Sequence, residues 1–368
     1  MKKLTRLMAA LLALIMCLSF AGCHKKDEIA LTIEGNDFTA AYYLCALVFA
    51  DSEARTKVDQ ELSGDVDAAT EGIDYHKQTI DNKKFVTWVE DTAIDNLKKI
   101  AACKNLCKEN KLELDKDTKS MAEYYAEYYW GSYGYASFLE PNGVALSTFK
   151  TYMTDTYYSE KYFDFIYGEG GEKEAKKETL KEILTKKYLI VDMIEVDFTT
   201  LKEAEIKEKT DFINKAAEDL RAGRKSFETV LEEYVGPDEE EDKKEETKED
   251  DTDKEETPQP KDINAEILGD EDTDYASDYF KDTKDLKVGE VLVKTLDDNK
   301  GIVLFVKGDI AGDDYYYDLL VKSLRHLNSD EDFEKVLEEA AQPLNVEKHK
   351  SAIKRLKVKN IKYPETTE

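Results

Sequence analysis

The chain has 368 residues, enough for two domains or for one helical body with a second domain inserted. With 81 acidic against 53 basic side chains its formal net charge is −28, and such a surface repels nucleic acid and anionic lipid alike. Apolar and aromatic residues reach 41 %, so the core can be sizeable.

The first 23 residues read as a secretory signal. Lys2, Lys3 and Arg6 form a basic start, an apolar stretch runs from Leu7 to Phe20, and Phe20-Ala21-Gly22-Cys23 has the form of a lipoprotein cleavage box. The apolar stretch is shorter than the ~20 residues a spanning helix needs. Cys23 is therefore the expected lipid attachment point and the first residue of the mature chain, held to a membrane outside the cytoplasm through a diacylglycerol. Residues 1–22 carry three basic and no acidic side chains, so cleavage would move the formal charge from −28 to −31.

Ile29 to Ile33 alternates as a short strand, Gly35-Asn36-Asp37 reads as a turn and helix cap, and a helix is expected from Phe38. Val86, Val89, Ala93, Leu97 and Ile100 recur at steps of three and four, the stripe of a long amphipathic helix ending near Asn110. Further helices are expected at Lys116 to Trp130, Thr148 to Ile166 and Glu172 to Lys186, with Gly131 to Gly143 as a connecting loop. Cys103 and Cys107 lie four apart on the long helix, but no third and fourth metal ligand cluster near them. With Cys45 they make an odd set in the body, which argues against a fully paired disulfide framework. Small buried side chains are the expectation, with a disulfide the open alternative in an extracytoplasmic compartment, and no metal or cofactor.

From Tyr188 the pattern changes. Residues 188–198 are β-branched and apolar enough for a buried strand, followed by a helix through Ile213, Ala217 and Leu220 and a shorter one from Phe227 to Tyr234. Asp238 to Glu256 holds 13 acidic and 4 basic residues with no apolar side chain, so it cannot bury enough surface to offset ordering and is expected to be disordered. Val291 to Thr295 and Ile302 to Lys307 flank Asp297-Asp298-Asn299-Lys300-Gly301 as a hairpin. Helical patterning returns from Tyr315 and again over Phe333 to Ala341, and Arg355 to Ile361 reads as a strand.

Leu220-Arg221-Ala222-Gly223 with Phe227, Leu286-Lys287-Val288-Gly289-Glu290-Val291, and the strand Gly301 to Val306 together resemble the parvulin-type peptidyl-prolyl isomerase domain. The helical first half, with its Glu34-Gly35 turn, is similar to the chaperone region of SurA- and PrsA-type secretion foldases. A lipoprotein signal is what a Gram-positive foldase of the PrsA kind carries. The resemblance implies an α+β fold in three parts. A mainly helical chaperone-like domain spans residues 23–187. A small parvulin-like α+β domain at 188–310 is inserted into it, with its acidic insertion at 237–261. A C-terminal helical segment, 311–368, packs back.

Active parvulins place a His in the first strand, a second His in the last strand and a Cys or Asp between. Here the histidines are His24, His76, His326 and His349, none of them within 188–310, and that segment has no cysteine. Met193 or Asp192 stands at the first position and Val303 at the last. The resemblance therefore implies the fold of an isomerase without its catalytic residues.

Tyr124, Tyr125, Tyr128, Tyr129 and Trp130 are the candidate binding residues, since 124/128 and 125/129 pair along one side of a helix. Rigid amphipathic rings suit unfolded or newly secreted polypeptides, which are the expected partners. Packing between helices, or against a second copy in a homodimer, is the other use such rings have. Two classes of function follow, a membrane-anchored chaperone and a solute- or glycan-binding surface lipoprotein. The long helical first block favours the chaperone. No Gly-x-Ser-x-Gly, His-Glu-x-x-His or phosphate loop supports a hydrolase.

Overall fold

The computed structural model describes residues 27–63, 72–236, 265–270 and 275–363. Cys23, the leader and the acidic insertion at 237–261 lie outside them. The chain is α+β, mostly helical with small antiparallel sheets, and divides into two compact units, Met1–Lys173 with Glu331–Glu368, and Glu174–Asp330.

The first unit opens on β1 (Ile29–Ile33) and β2 (Asn36–Thr39), an antiparallel hairpin. Its turn is Glu34-Gly35, with φ of 43° and 80°, the positive pair that a two-residue hairpin loop demands. The expected cap at Asn36-Asp37 is thus a strand instead. The cap falls on Thr39, whose Oγ1 accepts the Tyr42 N–H at 3.2 Å, and α1 follows (Ala40–Ser63). After a two-residue ladder of β3 (Thr79–Ile80) and β4 (Lys83–Lys84) comes α2 (Phe85–Glu109). Its stripe of Val89, Ala93, Leu97 and Ile100 is buried against Phe38, Tyr42, Ala46 and Leu47. Then follow α3 (Lys116–Gly131), α4 (Tyr135–Leu139) and α5 (Leu146–Tyr167).

The expected loop at 131–143 therefore contains a short helix. Gly134 at φ 70° starts it, and Leu139 seals it by full burial among Cys45, Val48 and Phe149. Beyond α5, Gly171 sits so close to the end of that helix that a Cβ there would stand 2.4 Å from the Ile166 carbonyl oxygen, and Lys173 N–H donates to the same carbonyl at 2.8 Å. This reversal uses up the residues expected to begin a helix at Glu172, so α6 starts later (Lys177–Lys187).

In the second unit β5 (Tyr188–Asp197) leads to α7 (Glu203–Arg221), α8 (Phe227–Val235), β6 (Glu266–Gly269), α9 (Tyr275–Thr283), β7 (Val291–Thr295) and β8 (Gly301–Lys307). The sheet order is β6-β5-β8-β7, antiparallel throughout. Central strand β8 is apolar on both sides. Ile302 and Leu304 meet Ile213, Ala217 and Val230 of α7 and α8, while Val303 and Phe305 meet Tyr279 and Phe280 of α9. That two-sided burial explains why β5 and β8 read as continuous apolar runs.

α10 (Asp314–Ala341) is one unbroken helix where the sequence shows two helical stretches. Beyond it β9 (Val346–Lys348) pairs antiparallel with β1 in the register Leu31↔Lys348, Thr32↔Glu347 and Ile33↔Val346, and α11 (Lys350–Ile353) follows. The strand expected at Arg355 to Ile361 is a 3₁₀ turn over Val358–Asn360. The C-terminal partner of β1 is β9, with β2 on its other side, so both sides of β1 are taken before this stretch is reached. Its apolar residues Leu356, Val358 and Ile361 pack on the core instead.

Candidate functional site

Helix α3 is built to hold rings at its surface. Asp115 caps it, accepting the Thr118 N–H at 2.7 Å, and that bond holds the Asp115 carboxyl below the usual carboxylate range. Ala122 and Ala126 are fully buried, so the helix lies close to its neighbours along one stripe and turns the tyrosines outward. Tyr124, Tyr125 and Tyr128 are 63, 38 and 44 % exposed. Tyr129 and Trp130 are half-buried against Cys45, Val48 and Phe149, Trp130 with its ring 5.8 Å from Phe149. The five candidate residues thus split into three presented to solvent and two that anchor the helix.

Tyr133, 62 % exposed, belongs to the same surface and is absent from the sequence prediction. The left-handed Gly134 returns the chain, bringing Tyr133 to 5.6 Å from Tyr128 and 5.2 Å from Tyr129. Tyr135 stacks on Tyr129 at 5.8 Å and continues inward to Phe49 and Phe149. The signal available in sequence was Gly131-Ser132-Tyr133-Gly134-Tyr135, two tyrosines spaced by a turn glycine after a tyrosine-rich helix. The result is an aromatic surface that is exposed at Tyr124 and rooted in a buried phenylalanine, with Glu123 and Glu127 exposed beside it. Glu127 pairs with Lys150 of α5.

In the same unit α2, α5 and the last turns of α10 enclose a groove of about 250 Å³ lined by Ile100, Cys103, Tyr152, Asp155, Ser159 and Leu337. Cys45, Cys103 and Cys107 are free and buried. Burial pushes the Cys103 thiol up to about 12 and the Cys107 thiol up to about 11, so both are neutral side chains at ordinary pH.

The positions that the parvulin resemblance singles out lie in the second unit. Met193 and Val303 share the sheet face under α9, in one apolar cluster with Tyr279, whereas Asp192 alternates onto the opposite face with Ile190 and Ile194. Across the row holding Val303 stand Glu195 on β5 and Lys294 on β7. The Tyr279 hydroxyl donates to Glu195 Oε2 at 2.7 Å, and Lys294 pairs with Asp282. The face thus offers methionine, valine and a phenol already bonded to a carboxylate, with no imidazole or thiol.

No family model matches the chain, and no curated protein matches it. Among solved structures it is similar to the crystal structure of the foldase protein PrsA from Lactococcus lactis, at 14 % identity and a TM-score of 0.35, covering 89 % of this chain and 97 % of that one. A superposition this loose carries no functional argument, and what the chain does has to be read from its own residues.

Proposed function

We propose that the chain is a membrane-anchored extracytoplasmic foldase-like lipoprotein that binds unfolded or newly secreted polypeptides. Lipid on Cys23 would hold it at the membrane. The observation that carries the reading is the tyrosine surface of α3 with Tyr133, whose exposed rings rest on a buried aromatic base. Rings fixed in this way offer large contact area at little cost in side-chain ordering, which suits clients of varied sequence. The stacked pairs Tyr125–Tyr129 and Tyr129–Tyr135 spend ring faces on one another, which speaks against a platform for sugar rings. The groove of about 250 Å³ supplies a second apolar contact in the same unit.

The second unit is, on this proposal, a parvulin-like module that retains the fold and has lost isomerase activity. Twisting an X–Pro amide means crossing a barrier of roughly 18–20 kcal/mol, and a face of Met193 and Val303, whose one phenol is already bonded to Glu195, has no imidazole or thiol with which to lower it.

The test is suppression of aggregation. Residues 24–368, added at near-stoichiometric ratio to a chemically unfolded secreted protein, should reduce light scattering beyond an equally acidic unrelated control. The Tyr124→Ser/Tyr128→Ser/Tyr133→Ser variant should lose that effect. Equal scattering with the chain and the control would overturn the proposal.

A further inference from the structure

The formal charge of −28 conceals a segment of opposite sign. Residues 348–362 carry seven basic side chains, Lys348, Lys350, Lys354, Arg355, Lys357, Lys359 and Lys362, and no acidic one. All seven are exposed. Among the described residues Arg355 pairs with Glu28, whereas none of the six lysines takes part in an ion pair. In a chain so rich in carboxylates, fifteen residues without one form a distinct cationic surface. Arg355 apart, its charges have no carboxylate in contact, and at physiological salt the field of more distant charges decays over about 8 Å.

The fold puts this surface beside the start of the described chain. β9 pairs with β1, His349 N–H donates to the Ala30 carbonyl at 2.9 Å, and Ser351 and Arg355 both bond the Glu28 carboxylate. Cys23 precedes Glu28 by five residues, a span of at most about 18 Å even when fully extended. Arg355, Lys357 and Lys362 also border an open cleft of about 330 Å³ together with Asn142, Asn360 and Ala41, which gives headgroup-sized room among the cations.

We propose that residues 348–362 form a membrane-facing surface that binds the phosphate of anionic lipid headgroups. This deepens the anchored-lipoprotein reading and rests on it for the placement of Cys23 near the bilayer. The ligand is a phosphate-bearing lipid surface because the site is a spread of exposed ammonium groups around one guanidinium, suited to many headgroups at once and to no single shaped molecule. Two acyl chains suffice for retention, so the cationic face sets orientation: it holds the first unit's C-terminal side against the bilayer.

The experiment uses residues 24–368 without lipid, which keeps every described residue and makes the outcome independent of whether Cys23 is modified. Cosedimentation is measured with phosphatidylcholine vesicles containing or lacking phosphatidylglycerol. Binding to the anionic vesicles should exceed binding to the neutral ones by about tenfold or more at low salt and fall away as salt is raised. Lys354→Glu/Lys357→Glu/Lys359→Glu should abolish it. Lys354→Gln/Lys357→Gln/Lys359→Gln should weaken it with an unchanged melting curve, and the equal charge change Lys108→Glu/Lys116→Glu/Lys119→Glu should leave it intact. Equal binding to both vesicles, or full binding by the glutamate variant, would overturn the proposal. So would displacement by soluble polyphosphate or duplex DNA at matched phosphate concentration, which would mark a general polyanion surface.

Discussion

The Tyr42 hydroxyl donates to Asp155 Oδ2 at 3.0 Å, and the Lys104 ammonium reaches both oxygens of the same carboxylate at 3.0 Å. Three helices of the first unit, α1, α2 and α5, are thereby joined at one buried acid. Burial first, and then the neighbouring Asp155 charge, push the Tyr42 phenol far above its usual range, so it remains a donor at any working pH. Tyr42→Phe should lower the free energy of unfolding by about 1–2 kcal/mol, because Asp155 keeps Lys104 but loses its second partner. Urea titration of the two proteins measures it, and identical midpoints would show that the phenol adds nothing.

Within the aromatic surface, Tyr128 and Trp130 should separate binding from stability. Tyr128→Ala removes an exposed ring and should reduce client capture with a melting temperature close to the parent. Trp130→Ala empties space beside Phe149 and should cost on the order of 2–4 kcal/mol of stability. Sedimentation across a concentration series belongs with these assays. Self-association abolished by Tyr128→Ala would assign the rings to a second copy of the chain in place of a client.

The stripe of α2 and the two-sided strands β5 and β8 were legible because burial dictates residue type at every position, whether at steps of three and four or in continuous apolar runs. Thr39 as cap was not legible, since Asn36 and Asp37 are equally good cap residues and only strand pairing with Ile33 and Thr32 removes them. β6 and α9 also escaped prediction. Glu266–Gly269 is four residues long, and its identity as a strand comes from pairing with Tyr188 to Val191. Of the aromatic surface, the helical part was visible from i,i+4 spacing, while Tyr133 joins through a left-handed glycine that no periodicity reveals.

The second unit should respond to acid through Asp219. Arg224 Nε lies 2.7 Å from its Oδ1, and this hydrogen bond holds the carboxyl below its ordinary 3.8. A carboxylate with a depressed folded-state pKa contributes stability that is present above the unfolded value and is lost as pH falls through the folded one. The stability difference between the parent and Asp219→Asn should therefore be constant from neutrality to about pH 5 and shrink in stronger acid. Denaturant midpoints of both proteins against pH test this, and a difference that grows in acid would contradict it.

The second unit should not accelerate proline isomerisation. Cis/trans exchange in a proline peptide should keep its uncatalysed time of tens to hundreds of seconds with the chain present. Acceleration abolished by Val303→Asp or Met193→Ala would show that the face under α9 still works.

Anchoring has a direct test. The protein purified from a host that processes lipoproteins should carry a diacylglycerol mass on an N-terminal peptide beginning at Cys23, and Cys23→Ser should release it to the soluble fraction. A mature terminus elsewhere would remove the anchor.

The pairing of β1 with β9 fixes the order in which the polypeptide can mature. Ile33 meets Val346 only after more than three hundred intervening residues have been made, so a chain synthesised from its N-terminus must wait with β1 unpaired on that side. The inserted segment contains all four strands of its own sheet and has no such wait. The sheet of the second unit can therefore close on its own strands, whereas the sheet of the first unit closes only when Val346–Lys348 has been made.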